Sequence, residues 1–414
     1  MNALEVWLDD ASLGTPCVVG LVQRNRGKTG ESLRFEYAQT WLENCAGIQP
    51  FALDQELNLV AGAHYATAGA DQLCGIFLDC SPDRWGKMLM ERREAIEARE
   101  QSRKVLSLRS WDFLLGVHDE SRMGALRLRD AASGQFVDSR KQSAPPFTEL
   151  RTLEAAAHQL ERGGAQVDKW IKQLIAPGAS LGGARPKASF RDADGALWLA
   201  KFPALEDRRD VGLWEYLTSQ LSRAAGIATP PTRALALSNR GHTFAVQRFD
   251  RALGSRRCYS SAMTRLARHE SEGASYLDLV EAIETGGASS QIDKQCEELF
   301  RRALFNILIG NRDDHLRNHG FLRSSNGWAL SPAFDVNPNP DKSEHVLSID
   351  GADASPDSAL LIRTAPFYRL KPPAVSAIVL QVRGAVRGWD QKAKALGLAR
   401  NEIELMRSVI DPER

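Results

Sequence analysis

The chain has 414 residues, a length that allows roughly two or three domains with a large core. Its formal net charge of +1 excludes a strong attraction of the whole chain to nucleic acid or an anionic membrane, and no apolar run reaches the roughly 18 residues of a membrane span. The six cysteines lack C-x-x-C spacing and the N-terminus has no signal-peptide pattern, which indicates reduced core cysteines and a cytoplasmic protein.

Residues 1–130 are predicted to form an α+β subdomain. Strands are expected at residues 4–8, 17–23 and 33–37. The loop between the last two contains a Gly-Lys-Thr sequence that suggests a Walker A phosphate loop. That motif would need its first glycine where the chain has Val22, so a hairpin tip is the better interpretation.

A helix is predicted to begin in this subdomain beside Pro82. Ser81 can serve as its N-cap with Pro82 at the first helical position, and the helix is expected to continue to Lys104. Residues 131–146 are rich in Ser, Ala, Gln and Pro and are predicted to be a linker.

Residues 147–250 contain a glycine-rich turn, residues 180–187, followed by a hairpin. Strands are predicted at residues 188–191 and 196–202, joined by a tight Asp-Gly turn. Period-two alternation places Lys201 on an otherwise apolar strand face. Such a lysine either extends its ammonium group into water or needs a partner or ligand.

The next predicted helix carries a glutamate that suits this lysine. Residues 211–225 have an amphipathic pattern, with Glu215 on the half that should face the sheet. In protein kinases a strand lysine binds the α- and β-phosphates and is held by a glutamate on the next helix. A further strand, residues 243–248, leads to the position where chain order places an interlobe hinge.

The chain after residue 262 is predominantly helical and contains a polar loop. A helix predicted at residues 291–309 stops at Gly310, and the loop that follows is rich in Asp, Asn and His. Two apolar segments then flank Asn326-Gly327, which is a strong hairpin signal. If this hairpin folds back on itself, the residues before its first strand and after its second converge.

The residues that converge in this way are Asp313, Asn318 and Asp335. Protein kinases use such a set, in which the first Asp accepts the substrate hydroxyl's proton while the Asn and the second Asp hold Mg²⁺. Each residue alone is more often a turn or cap residue. The joint order of glycine turn, lysine strand, glutamate helix, polar loop and hairpin favours a kinase.

The same stretches resemble the HipA-like serine/threonine kinases, the toxins of bacterial type II toxin–antitoxin systems. The similarity is carried by residues 180–187, 247–251, 313–321 and 332–337. The resemblance implies an α+β, bilobal protein-kinase-like fold with a mixed β/α N-terminal lobe, an extra N-terminal subdomain and a mostly α-helical C-terminal lobe. The implied division is an N-terminal subdomain at 1–130, a linker at 131–146, the N-lobe at 147–250 and the helical C-lobe at 251–414.

The resemblance also implies roles for individual residues, with ATP and Mg²⁺ as cofactors. Asp313 would be the catalytic base, supported by the loop histidine His315, and Asn318 and Asp335 would be the metal ligands. Ser180 would be autophosphorylated as an off switch. The ATP-binding residues would be Gly182, Gly183, Ala184, Lys187, Lys201, Glu215, Gln247, Arg248 and Phe249.

The implied partners are a helix-turn-helix antitoxin similar to HipB, through which DNA is mainly bound, and a substrate protein such as an aminoacyl-tRNA synthetase. The glycine turn departs from the family forms because it reads Gly-Gly-Ala-Arg-Pro-Lys. Pro186 removes an N–H donor and stiffens the turn.

Other functions remain open from the sequence. The chain could be a pseudokinase in a transcriptional repressor complex, or a small-molecule phosphotransferase with the same catalytic parts. His315 and His319, with the neighbouring aspartates, could form a transition-metal hydrolase site only if both histidines lay on one helix face. The apolar hairpin that follows predicts loop and strand there instead.

Overall fold

The structure is a computed structural model and describes residues 1–27, 30–45, 47–69, 71–139, 144–163, 174, 183, 185–252 and 254–414. Helices and antiparallel strands are both abundant, which confirms the predicted α+β class. Within these ranges, no helix combines the length and apolar content that a membrane crossing requires.

The residues group into two compact units, each built from separate stretches of chain. The first unit consists of Met1–Glu206 and Gln247–Ser260, and the second of Asp207–Val246 and Ser261–Arg414. The division at residues 130, 146 and 250 stays a prediction.

A five-stranded antiparallel sheet forms much of the first unit. Alternate residues of its first strand, Leu4, Val6 and Leu8, are fully buried, as the period-two pattern requires. The second and third strands pair up to Gly27 and Gly30, which confirms the predicted hairpin, while its tip, residues 28–29, lies outside the described residues. In spatial order the strands are Ala63–His64, Gly30–Tyr37, Cys17–Gly27, Ala3–Leu8 and Leu126–Asp130.

Within the described residues, the α-helices of the first unit are Gln39–Glu43, Gly75–Asp79, Arg84–Glu100, Ser110–Leu115 and Leu150–Arg162. The predicted cap at Ser81 is wrong. Asp83 is the N-cap of Arg84–Glu100 and accepts from the Gly86 N–H at 2.7 Å, whereas the Ser81 hydroxyl donates to the Phe77 carbonyl at 2.8 Å. The helix also ends before Lys104, because Ser102 adopts a left-handed φ of 51°.

Two strands of the first unit form the lysine hairpin, Lys187–Arg191 paired with Leu197–Lys201. The Asp192 N–H donates to the Ala196 carbonyl at 3.0 Å, and Gly195 has a φ of 81° in the turn. The predicted hairpin is therefore confirmed. Short strands follow at Arg251–Ala252, Ser255–Arg256 and Tyr259–Ser261.

A buried charge network fixes residues 247–260 within the first unit. The Asp250 carboxylate is fully buried and accepts from Arg248, Arg251 and the Gly124 N–H, the last at 2.8 Å. Arg248 and Arg251 also donate to main-chain carbonyls of residues 120–124. Because every charge in this network has a partner, its burial is tolerated.

The second unit is mainly helical and packs around the helix Ile292–Ile309. Its apolar side chains at three- and four-residue spacing are buried, as the pattern predicts. Two antiparallel hairpins accompany it, Thr232–Leu235 with Thr243–Gln247 and Gly320–Ser324 with Gly327–Leu330. The other helices are Val211–Ala224, Ala262–Arg265, Tyr276–Gly286, Ser358–Arg363, Pro372–Val386, Trp389–Ala395 and Arg400–Met406.

Candidate catalytic loop and glycine turn

The catalytic loop, residues 310–319, begins where the helix Ile292–Ile309 ends. Gly310 has a left-handed φ of 66°, and the Asn311 N–H donates to the Asn306 carbonyl at 2.9 Å, so the helix closes in the way a glycine C-cap allows. The Asp411 N–H donates to the Leu308 carbonyl at 2.9 Å and fixes the end of this helix to the C-terminal segment. The loop therefore starts from a rigid support.

Asp313 places its carboxylate at the surface, with 57% of the side chain exposed. Lys342 forms an ion pair with it, a contact that the sequence did not indicate. The Asn318 side-chain N–H₂ donates to the main-chain carbonyl of Asp313 at 3.4 Å. The structure thus brings together the predicted base and the first predicted metal ligand.

Asp314, by contrast, is buried and holds the loop in place. Its carboxylate accepts from the Tyr276 hydroxyl at 2.6 Å, the Asn306 amide at 2.9 Å and His319 Nε2 at 2.8 Å. Burial alone would raise the pKa of Asp314, but His319 and the hydrogen bonds hold it below its usual value. Asp314 is therefore an ionised anchor, and Asp313 is the neighbour whose carboxylate reaches solvent.

The two histidines of the loop have different surroundings. His319 donates to Asp314, whereas His315 Nδ1 is buried and finds no hydrogen-bond partner among the residues described. The hydrogen bond that holds the shape of the loop is therefore made by His319. The catalytic role of His315 stays a prediction. A short 3-10 turn, Leu316–Asn318, separates them, so they do not share a helix face.

The hairpin after the loop returns the chain toward Asn318. The Ser331 N–H donates to the Gly320 carbonyl at 2.8 Å, which places the two ends of the hairpin side by side, as expected. Asp335 follows with a left-handed φ of 58°. A non-glycine residue in this region is uncommon and often marks a functional position.

The segment around Asp335 is attached to the helix Val211–Ala224, which carries Glu215. The Thr218 hydroxyl donates to the Val336 carbonyl at 2.6 Å, one residue beyond Asp335. Glu215 itself is buried, with 3% of the residue exposed. Within the second unit, this hydrogen bond therefore joins the helix that carries Glu215 to the segment that carries Asp335.

The donor set of Asn318 and Asp335 fits Mg²⁺. The amide N–H₂ of Asn318 is used by Asp313, so the oxygen of that amide is the atom available to a cation. A carboxylate and an amide oxygen are the hard ligands that Mg²⁺ prefers. Among the described residues, no group of three or more His, Cys, Asp or Glu side chains is arranged to hold a metal ion.

The glycine turn belongs to the first unit, and part of it can be described. Ser180, Gly182 and Ala184 lie outside the described residues. Gly183 has a φ of 106°, and its carbonyl accepts from the Trp85 N–H at 3.4 Å. Lys187 is buried and forms an ion pair with Asp83 at 2.7 Å, while Lys201 stands opposite it on the neighbouring strand.

The residues at the predicted interlobe hinge, 247–249, are also part of the first unit. The Arg248 side chain is buried in the charge network, and the main-chain N–H of Arg248 donates to the Leu197 carbonyl at 3.0 Å. Phe249 packs its ring 5.9 Å from that of Tyr259, and Gln247 ends a strand. The Arg248 side chain therefore serves the fold. Lys201 and Glu215 belong to different units.

Comparisons with known proteins identify the family. The model of the HipA-like C-terminal domain matches residues 179–389. HipA of Shewanella oneidensis MR-1, solved with HipB and operator DNA, is 16% identical with a TM-score of 0.62, covering 98% of this chain and 94% of that one. The Helicobacter pylori proinflammatory kinase CtkA is 13% identical with a TM-score of 0.38, covering 54% of this chain and 88% of that one.

No curated protein matches the chain. The likeness to HipA extends over nearly the whole length of both chains and shows that the kinase-like fold is of the HipA type. The family model covers about half of the sequence and contains the lysine hairpin, the catalytic loop and the hairpin that follows it. The chain therefore belongs to the family of proteins with a HipA-like C-terminal domain.

Proposed function

We propose that this protein is an ATP- and Mg²⁺-dependent serine/threonine protein kinase that acts as the toxin of a toxin–antitoxin system. The observation that carries the proposal is the exposed Asp313 carboxylate on a loop anchored by buried Asp314, with Asn318 bonded to the main chain of Asp313. A base with open access, next to an oxygen ligand for Mg²⁺, is the pairing that phosphoryl transfer to a hydroxyl requires.

Each residue then has a defined task. Asp313 accepts the proton of the attacking serine or threonine hydroxyl, and Lys342 forms an ion pair with that carboxylate. Asn318 and Asp335 hold Mg²⁺, which when bound neutralises charge on the phosphates. The buried anchor Asp314 prevents the loop from drifting, because a small misplacement of the base costs much of the rate.

The nucleotide is assigned to the predicted ATP-binding residues. Lys187 and Lys201 would contact phosphate oxygens, and the main chain of residues 247–249 would face adenine. The turn with Gly182, Gly183 and Ala184 covers the phosphates. A phosphate on Ser180 would compete with them and switch the enzyme off.

A HipB-like antitoxin is the proposed partner, because the solved complex of Shewanella oneidensis HipA contains HipB and operator DNA. With a net charge of +1, the chain itself has little overall attraction to DNA, so operator binding would run mainly through the antitoxin. The proposed substrate class is a protein of translation, such as an aminoacyl-tRNA synthetase.

The test is phosphoryl transfer from labelled Mg-ATP with purified protein. Asp313→Asn should reduce the rate about a thousandfold, the size expected for loss of a general base, while ATP still binds. Ser180→Ala should remove self-labelling and leave labelling of a substrate protein intact. Asp341→Asn, an exposed change of the same charge on a nearby loop, should match the wild type.

Two results would contradict the proposal. Tight binding of Mg-ATP without labelling of the protein or of lysate proteins would make the chain a pseudokinase. Transfer of label only to small metabolites would make it a small-molecule phosphotransferase.

A further inference from the structure

A lysine of the second unit lies directly against the proposed catalytic base. The Lys342 ammonium pairs with Asp313 Oδ1, and 42% of the lysine side chain remains exposed. Asp313 is the one partner of this ammonium among the residues that the structure describes. An ammonium group has three N–H donors, so two of them face solvent and are open to a ligand.

The Asp313 carboxylate also keeps one oxygen for a substrate. Lys342 contacts Oδ1, whereas Oδ2 makes no hydrogen bond within the described parts of the chain. A base accepts a proton over about 3 Å, and the attacking oxygen stands roughly 3–3.5 Å from the atom it attacks. The γ-phosphorus would therefore lie within about 7 Å of the carboxylate, a distance that an ammonium bonded to the same carboxylate can bridge.

Main-chain contacts fix the segment that carries Lys342. The Arg312 guanidinium donates to the Lys342 carbonyl, and the Asn339 N–H donates to the Gly310 carbonyl at 2.9 Å. Both contacts end on the catalytic loop, residues 310–319. A surface ion pair adds little stability, so these contacts rather than the pair hold the segment in place. The Lys342 side chain can then turn toward a ligand while its backbone stays beside the base.

We propose that Lys342 is a catalytic residue that contacts the γ-phosphoryl group during its transfer. The serine or threonine oxygen bonds to the γ-phosphorus, the bond from phosphorus to the β–γ bridging oxygen breaks, and its electron pair leaves with ADP. The hydroxyl proton passes to Asp313 Oδ2. Lys342 loses no proton, and its ammonium donates to phosphoryl oxygens that carry the negative charge of the transition state. This inference rests on the proposed function and adds a residue to it.

The first test is the rate of label transfer from Mg-ATP by the full-length protein. Lys342→Met should lower kcat about a hundredfold, the loss expected when one donor to transition-state charge is removed, with little change in KM for ATP. Lys342→Arg retains a cation and should recover part of the rate. Lys294→Met, the same change at an exposed lysine of the helix Ile292–Ile309, should match the wild type.

The second test measures binding instead of turnover. Mg-ADP with aluminium fluoride mimics the phosphoryl group in transfer, and calorimetry gives its affinity. Lys342→Met should bind this complex about tenfold more weakly, because a hydrogen bond from a charged donor is lost, and should bind Mg-ADP alone as the wild type does. The same loss should appear when both proteins carry Asp313→Asn, because the lysine contacts the phosphoryl mimic itself.

Three results would overturn the inference. An unchanged kcat in Lys342→Met would remove the lysine from the reaction, and a higher kcat would show that it obstructs the base. A loss of aluminium fluoride affinity only in proteins that retain Asp313 would show that Lys342 acts through the base alone. Absence of label transfer by the wild type would refute the proposed function, and with it the inference.

Discussion

His345 is a buried histidine of the second unit, 5% exposed, whose electrostatic neighbours include Asp314 and Arg312 of the catalytic loop. Burial lowers its pKa to about 4, although the Asp314 carboxylate acts in the opposite direction. An unfolded chain would protonate the same ring near its ordinary value of about 6.5. Between about pH 4 and pH 6.5, the His345 ring is therefore mainly neutral in the folded protein and mainly protonated in the unfolded chain.

The consequence is a loss of stability in acid. Between pH 6.5 and pH 4 the unfolded state binds more protons than the folded state, so the free energy of unfolding falls as pH falls through this window. From pH 7 to pH 4.5 this single group should account for about 2.5 kcal/mol. His345→Gln should remove that part of the pH dependence in urea unfolding.

His269→Gln is the matched control, because that histidine is exposed. It should leave the slope of stability against pH unchanged. An unaltered slope in His345→Gln would show that His345 is already protonated in the folded state.

Local spacing was enough to select Asp313 rather than Asp314 as the predicted base, since only Asp313 has an asparagine five positions later. In the structure Asp313 is exposed and Asp314 is buried, and the choice of Asp313 as the base stays a prediction. The partners could not be predicted. Lys342 is 29 residues from Asp313, and Asp83 is 104 residues from Lys187, so no short-range pattern pairs them.

At the scale of elements, the end of the helix Ile292–Ile309 depends on Gly310. Its φ of 66° is one that residues with a side chain rarely adopt. A Cβ at this position would lie 2.2 Å from Val409 Cγ1 and 2.9 Å from the Val409 carbonyl oxygen. The glycine is thus required both by the backbone turn and by the close approach of the C-terminal segment.

Gly310→Ala should therefore lower the free energy of unfolding by about 3 kcal/mol, from left-handed strain plus overpacking. Denaturant titration followed by circular dichroism measures this. Gly384→Ala is the control, since a Cβ at Gly384, inside the helix Pro372–Val386, would meet no atom within 4 Å. It should stabilise the protein by up to about 1 kcal/mol. Equal effects of the two changes would contradict the steric argument.

The elements themselves were largely predictable, because apolar spacing and turn residues are local signals. The helix Ile292–Ile309 and the hairpins around residues 194–195 and 326–327 lie where the patterns place them. The cap of Arg84–Glu100 was not predictable. Ser81 and Asp83 are both N-cap residue types on either side of Pro82, and the choice depends on a tertiary partner of Asp83, Lys187.

At the scale of the molecule, each unit is assembled from two stretches of chain. A sequence suggests domains that are continuous stretches of chain, because changes of composition along the chain mark linkers. Long-range contacts can join residues from separate stretches into one unit. Asp250, for example, accepts from the Gly124 N–H, 126 residues earlier. The unit that contains residues 247–260 therefore depends on residues near the N-terminus.

This dependence predicts the behaviour of fragments. A fragment of residues 131–414 contains the whole matched family segment, 179–389, but lacks the carbonyls and the N–H of residues 120–124 that satisfy Arg248, Arg251 and Asp250. Each buried polar group left without a partner costs about 1–3 kcal/mol. The fragment should unfold without cooperativity in a thermal melt and be cleaved by protease within residues 247–260.

Residues 1–130 supplied in trans provide the control, because they restore the missing main-chain partners without restoring chain connectivity. Co-expression should return a cooperative melt and protection of residues 247–260. Burial alone would raise the pKa of Asp250, whereas Arg248 and Arg251 hold it well below its usual range, so the carboxylate is ionised and the two arginines need it. If the fragment alone melted cooperatively, the N-terminal segment would be dispensable for the charge network.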